Sequence, residues 1–294
     1  MKIRVFITLV FVACFGHLFS QAKDSVTVVV SHIFFCIDSI TYQNLFHHEF
    51  IAKAFANSRE LSNKTLTDSY TGKYLMGRQS YIEVFEPDYK KVKPELGDKF
   101  GDVGIVFRTK KPDIKTIDQL IKANNKNDSL KLLEYEDSGR IIPFNQNLYL
   151  SNAGLQETFR PYIEEFTPEF LKLCGFNESE INSGITEEQF REKRTGKKYE
   201  KLYDNIEKVE LTLTNKEFEY LAGTLEYFGF SQAGHQFTNN SLQIICSIQN
   251  KRKYKLKAIH FRLLNKTDDI TVEVSKNLTF KASGASASFE FNYW

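Results

Sequence analysis

The sequence has few residues that would cross-link a fold covalently. It contains four cysteines in 294 residues, and the three that follow Cys14 are Cys36, Cys174 and Cys246. Three widely spaced cysteines form neither a disulfide framework nor a zinc-binding C-x-x-C pattern. One bridge between Cys36 and Cys246 is an open alternative because both are predicted to lie in strands, but we predict buried free thiols.

The sequence also lacks a charge excess. Its 39 basic and 37 acidic residues give a net charge of +2, which is too small to indicate a nucleic-acid or acidic-lipid partner. Beyond the N-terminus, no apolar run approaches the roughly 20 residues that a membrane-spanning helix needs. There is no phosphate-binding glycine loop and no nucleophile-elbow motif. We therefore predict no nucleic-acid partner and no transmembrane segment in the mature chain. The sequence does not indicate an oligomeric state.

Residues 1–20 have the pattern of a secretory signal peptide. A basic start is followed by the apolar run Val5–Phe15, and the expected cleavage lies near Ser20–Gln21. The run is too short to span a bilayer. We predict a secreted or periplasmic protein. In the alternative, Cys14 serves as a lipoprotein acceptor and anchors the protein to a lipid.

Two stretches of the mature chain show the same order of elements. In residues 21–111, Val26–Ile37 is almost wholly apolar and predicts a buried strand. Asp38 or Ser39 then caps a helix, and further strands follow, at Leu66–Met76, Ser80–Phe85 and Gly101–Thr109. Residues 206–294 show the order again and add edge strands, with elements at Val209–Asn215, Phe218–Phe228, Leu242–Ile248, Leu256–Leu264, Ile270–Phe280 and Ala287–Tyr293. Such a repeat predicts a duplicated unit.

Residues 112–205 are predicted to be a helical insertion between the two units. Ile117–Ala123 has the pattern of a short helix, and Gln156–Leu173 that of two short helices interrupted by Pro161 and Pro168. The apolar residues of the insertion are too few for a separate core. The predicted fold class is therefore α+β, with a repeated strand–helix–strands unit around the insertion.

Two short motifs resemble the glyoxalase/bleomycin-resistance group, also called the vicinal oxygen chelate superfamily. They are Ser31-His32-Ile33 in the first strand and Tyr81-Ile82-Glu83-Val84-Phe85 in a later one. A third typical motif is incomplete, because Gly104 stands where the family has a histidine. The resemblance covers Val26–Lys110 best. It implies paired βαβββ half-barrel units and, in the catalytic members, a divalent metal held by three or four side chains.

The resemblance makes His32 and Glu83 the candidate metal ligands, with Glu210 as a candidate third ligand near the position that aligns with His32. Tyr81 and Arg78 join His32 and Glu83 as candidate ligand-binding residues. Because Glu83 aligns with Ile244 or Ile245 in the second unit, we expect no bound cofactor, and a divalent metal is the alternative. In the ordinary interpretation, His32 and Glu83 form a structural pair, since a buried carboxylate needs a partner.

Three arginines, Arg78, Arg108 and Arg262, would receive an anionic ligand, although salt-bridged arginines are the commoner case. Three functional hypotheses follow from the sequence. The first is an exported protein of glyoxalase-like fold that binds a small molecule without a complete metal site. The second is a metal-dependent lyase, isomerase or dioxygenase-type enzyme that uses His32 and Glu83. The third is a structural or interaction protein that docks a partner on its edge strands or helical segment.

Overall fold

The computed structural model describes residues 28–64, 69–91, 94–152, 154–155, 157–250 and 254–293. The predicted signal peptide, with Cys14, lies outside these residues. The described chain is α+β, as the sequence predicts, with two sheets of mixed strand direction. Among the described residues no helix is long and apolar enough to cross a membrane, and the longest has 13 residues.

The first sheet has eight strands: β1 (Val28–Cys36), β2 (Asn57–Lys64), β3 (Ser69–Met76), β4 (Tyr81–Phe85), β5 (Val103–Thr109), β6 (Asp128–Asp137), β7 (Arg140–Leu150) and β8 (Phe159–Phe166). Their order in the sheet is β2-β3-β4-β1-β5-β8-β7-β6. After β1, the Asp38 side chain accepts a hydrogen bond from Thr41 N at 3.0 Å and caps helix α1 (Ser39–His47). A π-helical turn, Ile51–Phe55, leads into β2.

The second sheet has six strands: β9 (Tyr203–Leu213), β10 (Ser231–Ala233), β11 (Gln236–Thr238), β12 (Gln243–Ile248), β13 (Leu256–Ser275) and β14 (Leu278–Phe291). Their order is β10-β11-β12-β9-β13-β14, so β9 lies between a parallel β12 and an antiparallel β13. β1 lies between a parallel β4 and an antiparallel β5 in the same way. The predicted strand Ile270–Phe280 spans the turn of the hairpin β13–β14, between Ser275 and Leu278. The predicted strand Ala287–Tyr293 falls largely in β14, which lies at the edge of this sheet.

The prediction that residues 112–205 form a helical insertion was wrong in part, because the segment also contains three strands. β6, β7 and β8 extend the first sheet, and β8 pairs in parallel with β5. Pro161 sits within β8, where the sequence suggested a helix. The remaining helices of the segment are α2 (Ile114–Ala123), α3 (Pro168–Leu173), α4 (Glu178–Ser183) and α5 (Glu187–Thr195). The apolar residues of α3–α5 pack against the β6–β7 hairpin and the end of β8 in a small cluster of their own.

One large hydrophobic core joins the two sheets. It contains Ile33 and Phe35 of the first sheet and Val209 and Phe261 of the second, all almost fully buried. A helix of each unit also contacts the sheet of the other unit. Asn44 of α1 donates a hydrogen bond to Val274 O of β13 at 3.0 Å. In α6 (Asn215–Tyr227), Tyr220 donates to Leu150 O of β7 at 3.0 Å. The two units therefore share one interior. The free cysteines Cys36 and Cys246 are buried, as the sequence predicts.

Candidate functional site

His32 is at the centre of a buried polar cluster on the face of the first sheet that is turned away from the shared core. Its ring stacks on Tyr81 with the ring centroids 4.3 Å apart, and its Nε2 lies 4.0 Å from Glu83 Oε2. The other ring nitrogen, Nδ1, lies 3.3 Å from Oε1 of Glu164 on β8. Tyr74 donates its hydroxyl hydrogen bond to Glu83. The structure thus brings His32, Tyr81 and Glu83 together and adds Tyr74 and Glu164, which the sequence did not indicate.

The two carboxyl groups of this cluster have opposite pKa shifts. The strand β1 has a bulge between Val30 and His32, so Ser31 also reaches Glu164, to which it donates at 2.7 Å. Burial raises the pKa of Glu83 to about 7, against the opposing charge of His32. Burial also acts to raise the pKa of Glu164, but the charge of His32 and the hydrogen bonds from His32, Ser31 and Asn145 lower it overall. One carboxyl is therefore poised to titrate near neutral pH while the other stays ionised.

We expect Glu83→Gln to remove a pH dependence of stability. The pKa of Glu83 is about 7 in the folded protein against an ordinary 4.5, so the folded state binds more protons between these values. The stabilising contribution is complete below the unfolded pKa and is lost as the pH rises through the folded pKa. At 1.36 kcal/mol per pKa unit, the difference between 4.5 and about 7 makes the loss about 3 kcal/mol. Urea unfolding at acidic and alkaline pH should show this fall in the wild type but not in the variant.

Glu207→Gln is the matched control, because the Glu207 side chain is 46% exposed. Its pH profile of unfolding free energy should follow that of the wild type. Identical profiles for Glu83→Gln and the wild type would contradict the raised pKa of Glu83.

The polar cluster does not fit a three-ligand metal centre. Glu83 faces Nε2 of His32 and Glu164 faces Nδ1, so the two carboxylates lie on opposite edges of the imidazole and do not converge on one point. In the described ranges, no three His, Cys, Asp or Glu side chains are grouped so that they could hold a metal ion. Glu210 lies in the second sheet, where it contacts His260 at 2.9 Å and Lys208 at 3.0 Å.

Glu210 lies on β9 of the second sheet, whereas His32 lies on β1 of the first. In its own sheet Glu210 pairs with Ile245 of β12 and Ala258 of β13. Its carboxylate contacts Lys208, Lys257 and His260. The structure therefore does not bring Glu210 to His32 and Glu83 as a third ligand.

Arg78 is part of the contact between the two sheets rather than of the polar cluster. It lies in the turn between β3 and β4, and its Nε donates to Asp204 Oδ1 of β9 at 2.8 Å. Its backbone N–H donates to Tyr203 O at 2.9 Å. Arg262 of β13 donates to the other oxygen of Asp204 at 2.6 Å. The turn is therefore fixed to the second sheet by one buried carboxylate and by the backbone.

A pocket of about 560 Å³ lies where the two sheets meet the loop between α4 and α5. We call it the junction pocket. Its volume is within the range of about 300–1,000 Å³ that small-molecule sites have. Its lining comes from the starts of β1 and β9, the end of β5 and the loop before β12. The lining side chains that can hydrogen-bond include amides, hydroxyls and cations: Gln79, Arg108, Lys110, Asn205, Ser241 and Arg262.

A smaller cavity of about 60 Å³ lies between the junction pocket and the polar cluster. It shares Arg108 and Lys110 with the junction pocket, and it is lined by Ser31 and Glu164 of the cluster. Arg108 is bound to Glu187 of α5 at 3.1 Å, between the larger space and the smaller one. His32, Tyr81 and Glu83 line neither of these two spaces.

Asn205 is a polar side chain of the junction pocket that the rest of the protein does not use. Only 9% of the residue is exposed, and its amide makes no hydrogen bond to any other residue that the structure describes. The amide faces the open space of the pocket, where it can donate to, or accept from, a group that enters.

Sequence reasoning indicated part of this site. Arg108 and Arg262 were candidates for an anionic ligand, and both line the junction pocket, each already in an ion pair. The other candidate, Arg78, does not line it. The sequence did not indicate Asn205 as a pocket residue, because an Asn near the start of a strand belongs to no recognisable motif. Its role depends on chain segments that are remote in sequence.

Comparisons with known proteins agree with the fold and assign no activity. A family model described as a family of unknown function (DUF5829) matches residues 30–291. No curated protein sequence matches the chain. A solved structure described as a hypothetical protein from Staphylococcus aureus superposes with a TM-score of 0.51 at 15% sequence identity, over 83% of this chain and 95% of that one. At this identity the likeness shows a shared fold alone.

Proposed function

Since the chain belongs to the DUF5829 family, whose function is unknown, we propose from its geometry that it binds a small molecule in the junction pocket. In this proposal the protein is exported, as its N-terminal sequence pattern indicates, and its two sheets are paired glyoxalase-like half-barrels. The matching strand orders around β1 and β9 support the pairing. The ligand site lies between the repeated units, where duplicated folds commonly bind small molecules.

The observation that carries the proposal is the pocket of about 560 Å³ between the repeated units, with the Asn205 amide at its wall making no hydrogen bond to another described residue. Such an amide can bind a ligand in the pocket without first losing a protein partner. The polar cluster around His32 would then support the sheet from behind the pocket, through the cavity that Ser31 and Glu164 line.

We expect a panel of small polar molecules to contain one class that stabilises the protein and loses its effect in Asn205→Leu. The panel would comprise amino acids, sugars, dicarboxylates and nucleosides in a thermal unfolding assay. A ligand at 100 times its Kd adds about 2.7 kcal/mol, which is about 5–10 °C for a chain of this size. Replacing an unpartnered amide by a leucine of similar volume should leave the unliganded protein as stable as the wild type, within about 1 kcal/mol.

Asn57→Leu is the matched control, since the same substitution is made there at an exposed position of β2. This variant should keep the whole ligand-induced shift. If no class shifts the unfolding temperature, or if Asn205→Leu responds as the wild type does, the junction pocket is not the binding site. Zn²⁺ and Mn²⁺ are assayed separately, and a shift in the unfolding temperature that only they produce and that is lost in His32→Ala would instead favour the metal-dependent enzyme.

A further inference from the structure

The arginines around the junction pocket outnumber the buried carboxylates that bind them. The Glu187 side chain is 9% exposed and is shared by Arg108 at 3.1 Å and Arg191 at 3.2 Å. The Asp204 side chain is 4% exposed and is shared by Arg78 and Arg262. Two of these arginines, Arg108 and Arg262, line the pocket, and with Lys110 they give its lining three cations against one carboxylate, Glu207.

Several hydrogen-bond donors of the pocket lack a strong acceptor. Arg262 uses Nε on Asp204 and one terminal nitrogen on Glu207, so its other terminal nitrogen has no acceptor in the part of the chain that the structure describes. The nearest acceptor of one terminal nitrogen of Arg108 is Gln79 O, at the long distance of 3.5 Å. Lys110 is exposed at the rim, and no described residue forms an ion pair with it. Arg108 and Arg262 are held in position by their carboxylate partners before any ligand enters.

The acidic group of the lining does not balance these donors. Glu207 binds Arg262 at 3.2 Å, and 46% of its side chain is exposed, so solvent screens its charge. Glu188, which lies 3.9 Å from Arg78, is 35% exposed. A ligand that supplied further donors would compete with the arginines for these carboxylates. A ligand that supplied acceptors would bind the N–H groups of Arg262 and Arg108 that have no strong acceptor among the described residues.

We propose that the junction pocket recognises the oxyanion group, a carboxylate or a phosphate, of a small organic acid. The inference rests on the proposed function and gives that ligand its chemical class. Arg262 and Arg108 bind the oxyanion through their remaining N–H groups, and Lys110 adds charge at the entrance. The Asn205 amide hydrogen-bonds the group beside it. Guanidinium groups suit this role because their planar N–H pairs match the geometry of carboxylate and phosphate oxygens.

Calorimetric titration of the full chain with succinate, inorganic phosphate and butane-1,4-diol tests the assignment. At least one anion should bind about tenfold or more tightly than the diol, and its affinity should fall as salt is added. Arg262→Gln should weaken binding of the anion by at least about tenfold. Arg262 also holds Asp204, so a second variant that breaks no contact is needed. Lys110→Gln is that variant, and it should weaken binding of the anion by about threefold. The succinate and phosphate arms distinguish the two sources of oxyanion.

Lys281→Gln is the matched control, since it removes a 50%-exposed cation of β14 outside the pocket lining. It should leave the affinity for the anion within about twofold of the wild type. An equal loss in Lys281→Gln and Lys110→Gln would mean non-specific attraction and would overturn the assignment. The diol or another neutral molecule could bind as tightly as the anions, with this binding lost in Asn205→Leu. The oxyanion inference would then be wrong while the proposed function stands. If no probe binds and the Asn205→Leu panel is also negative, both are wrong.

Discussion

Asp204→Ala is expected to lower the free energy of unfolding by about 3 kcal/mol and to loosen the contact between the two sheets. The carboxylate of Asp204 accepts hydrogen bonds from Arg78, Gln79 and Arg262, and its side chain is 4% exposed. Breaking a buried ion pair typically costs about 3–5 kcal/mol. The lower end applies here because the two arginines are 32% and 42% exposed and regain water when the carboxylate is removed.

Two measurements separate this local effect from a general loss of stability. Urea unfolding gives the total loss, and amide hydrogen exchange reports on the turn between β3 and β4. The backbone N–H groups of Arg78 and Gln79 donate to β9 at 2.9 and 2.8 Å, so their exchange should accelerate most. Glu207→Ala, which removes an exposed partner of Arg262, should cost less than about 0.5 kcal/mol. Equal losses in the two variants would contradict a special role for Asp204.

Gly104→His is expected to cost about 3 kcal/mol or more, or to prevent folding. Gly104 on β5 lies opposite Phe34 on β1, and a Cβ added at Gly104 would lie 2.1 Å from Cε1 of the Phe34 ring. Phe34 is held between Phe85 and Tyr162, with ring centroids 6.0 and 6.4 Å away, so it has little room to yield. Overpacking a filled site typically costs about 1–3 kcal/mol, and a whole imidazole exceeds the usual added methylene.

If the collision with Phe34 causes this loss, shortening Phe34 should reduce it. In a Phe34→Ala background, Gly104→His should cost at least about 1 kcal/mol less than it does alone, because the two changes involve the same space. Gly223→His in α6 is the matched control, since a Cβ at Gly223 meets no atom within 4 Å. The control should change stability by less than about 1 kcal/mol. Additive losses at positions 34 and 104 would show that the ring contact is not the cause.

The Gly104 prediction bears directly on the resemblance to the glyoxalase group. The resembling motif has a histidine where Gly104 stands, and in the structure the side-chain space at Gly104 is taken by the Phe34 ring. A histidine introduced at position 104 would therefore collide with this ring.

The amino-acid sequence by itself determined the features that depend on neighbours along the chain. Asp38 caps α1, and Thr214 forms a capping box with Glu217 at the start of α6, because these groups are three residues apart or fewer. A nearly continuous apolar run marked β1, and the repeated order of elements matched the pairing around β1 and β9. The motifs named His32 and Glu83, but their meeting on one face depends on the parallel pairing of β1 and β4.

Only the tertiary structure decided the features that depend on remote segments. Phe159–Phe166 became a strand because β5 and β7 supply hydrogen bonds on both sides, and this outweighs the helical pattern of its apolar residues. The packing of the second sheet placed Glu210 against Lys208 and His260, away from His32. The junction pocket is a space bounded by segments as distant as β1 and the loop before β12, and the unpartnered amide of Asn205 has meaning only inside it. Periodicity and caps are local properties of a chain, whereas register and empty space arise when distant segments pack.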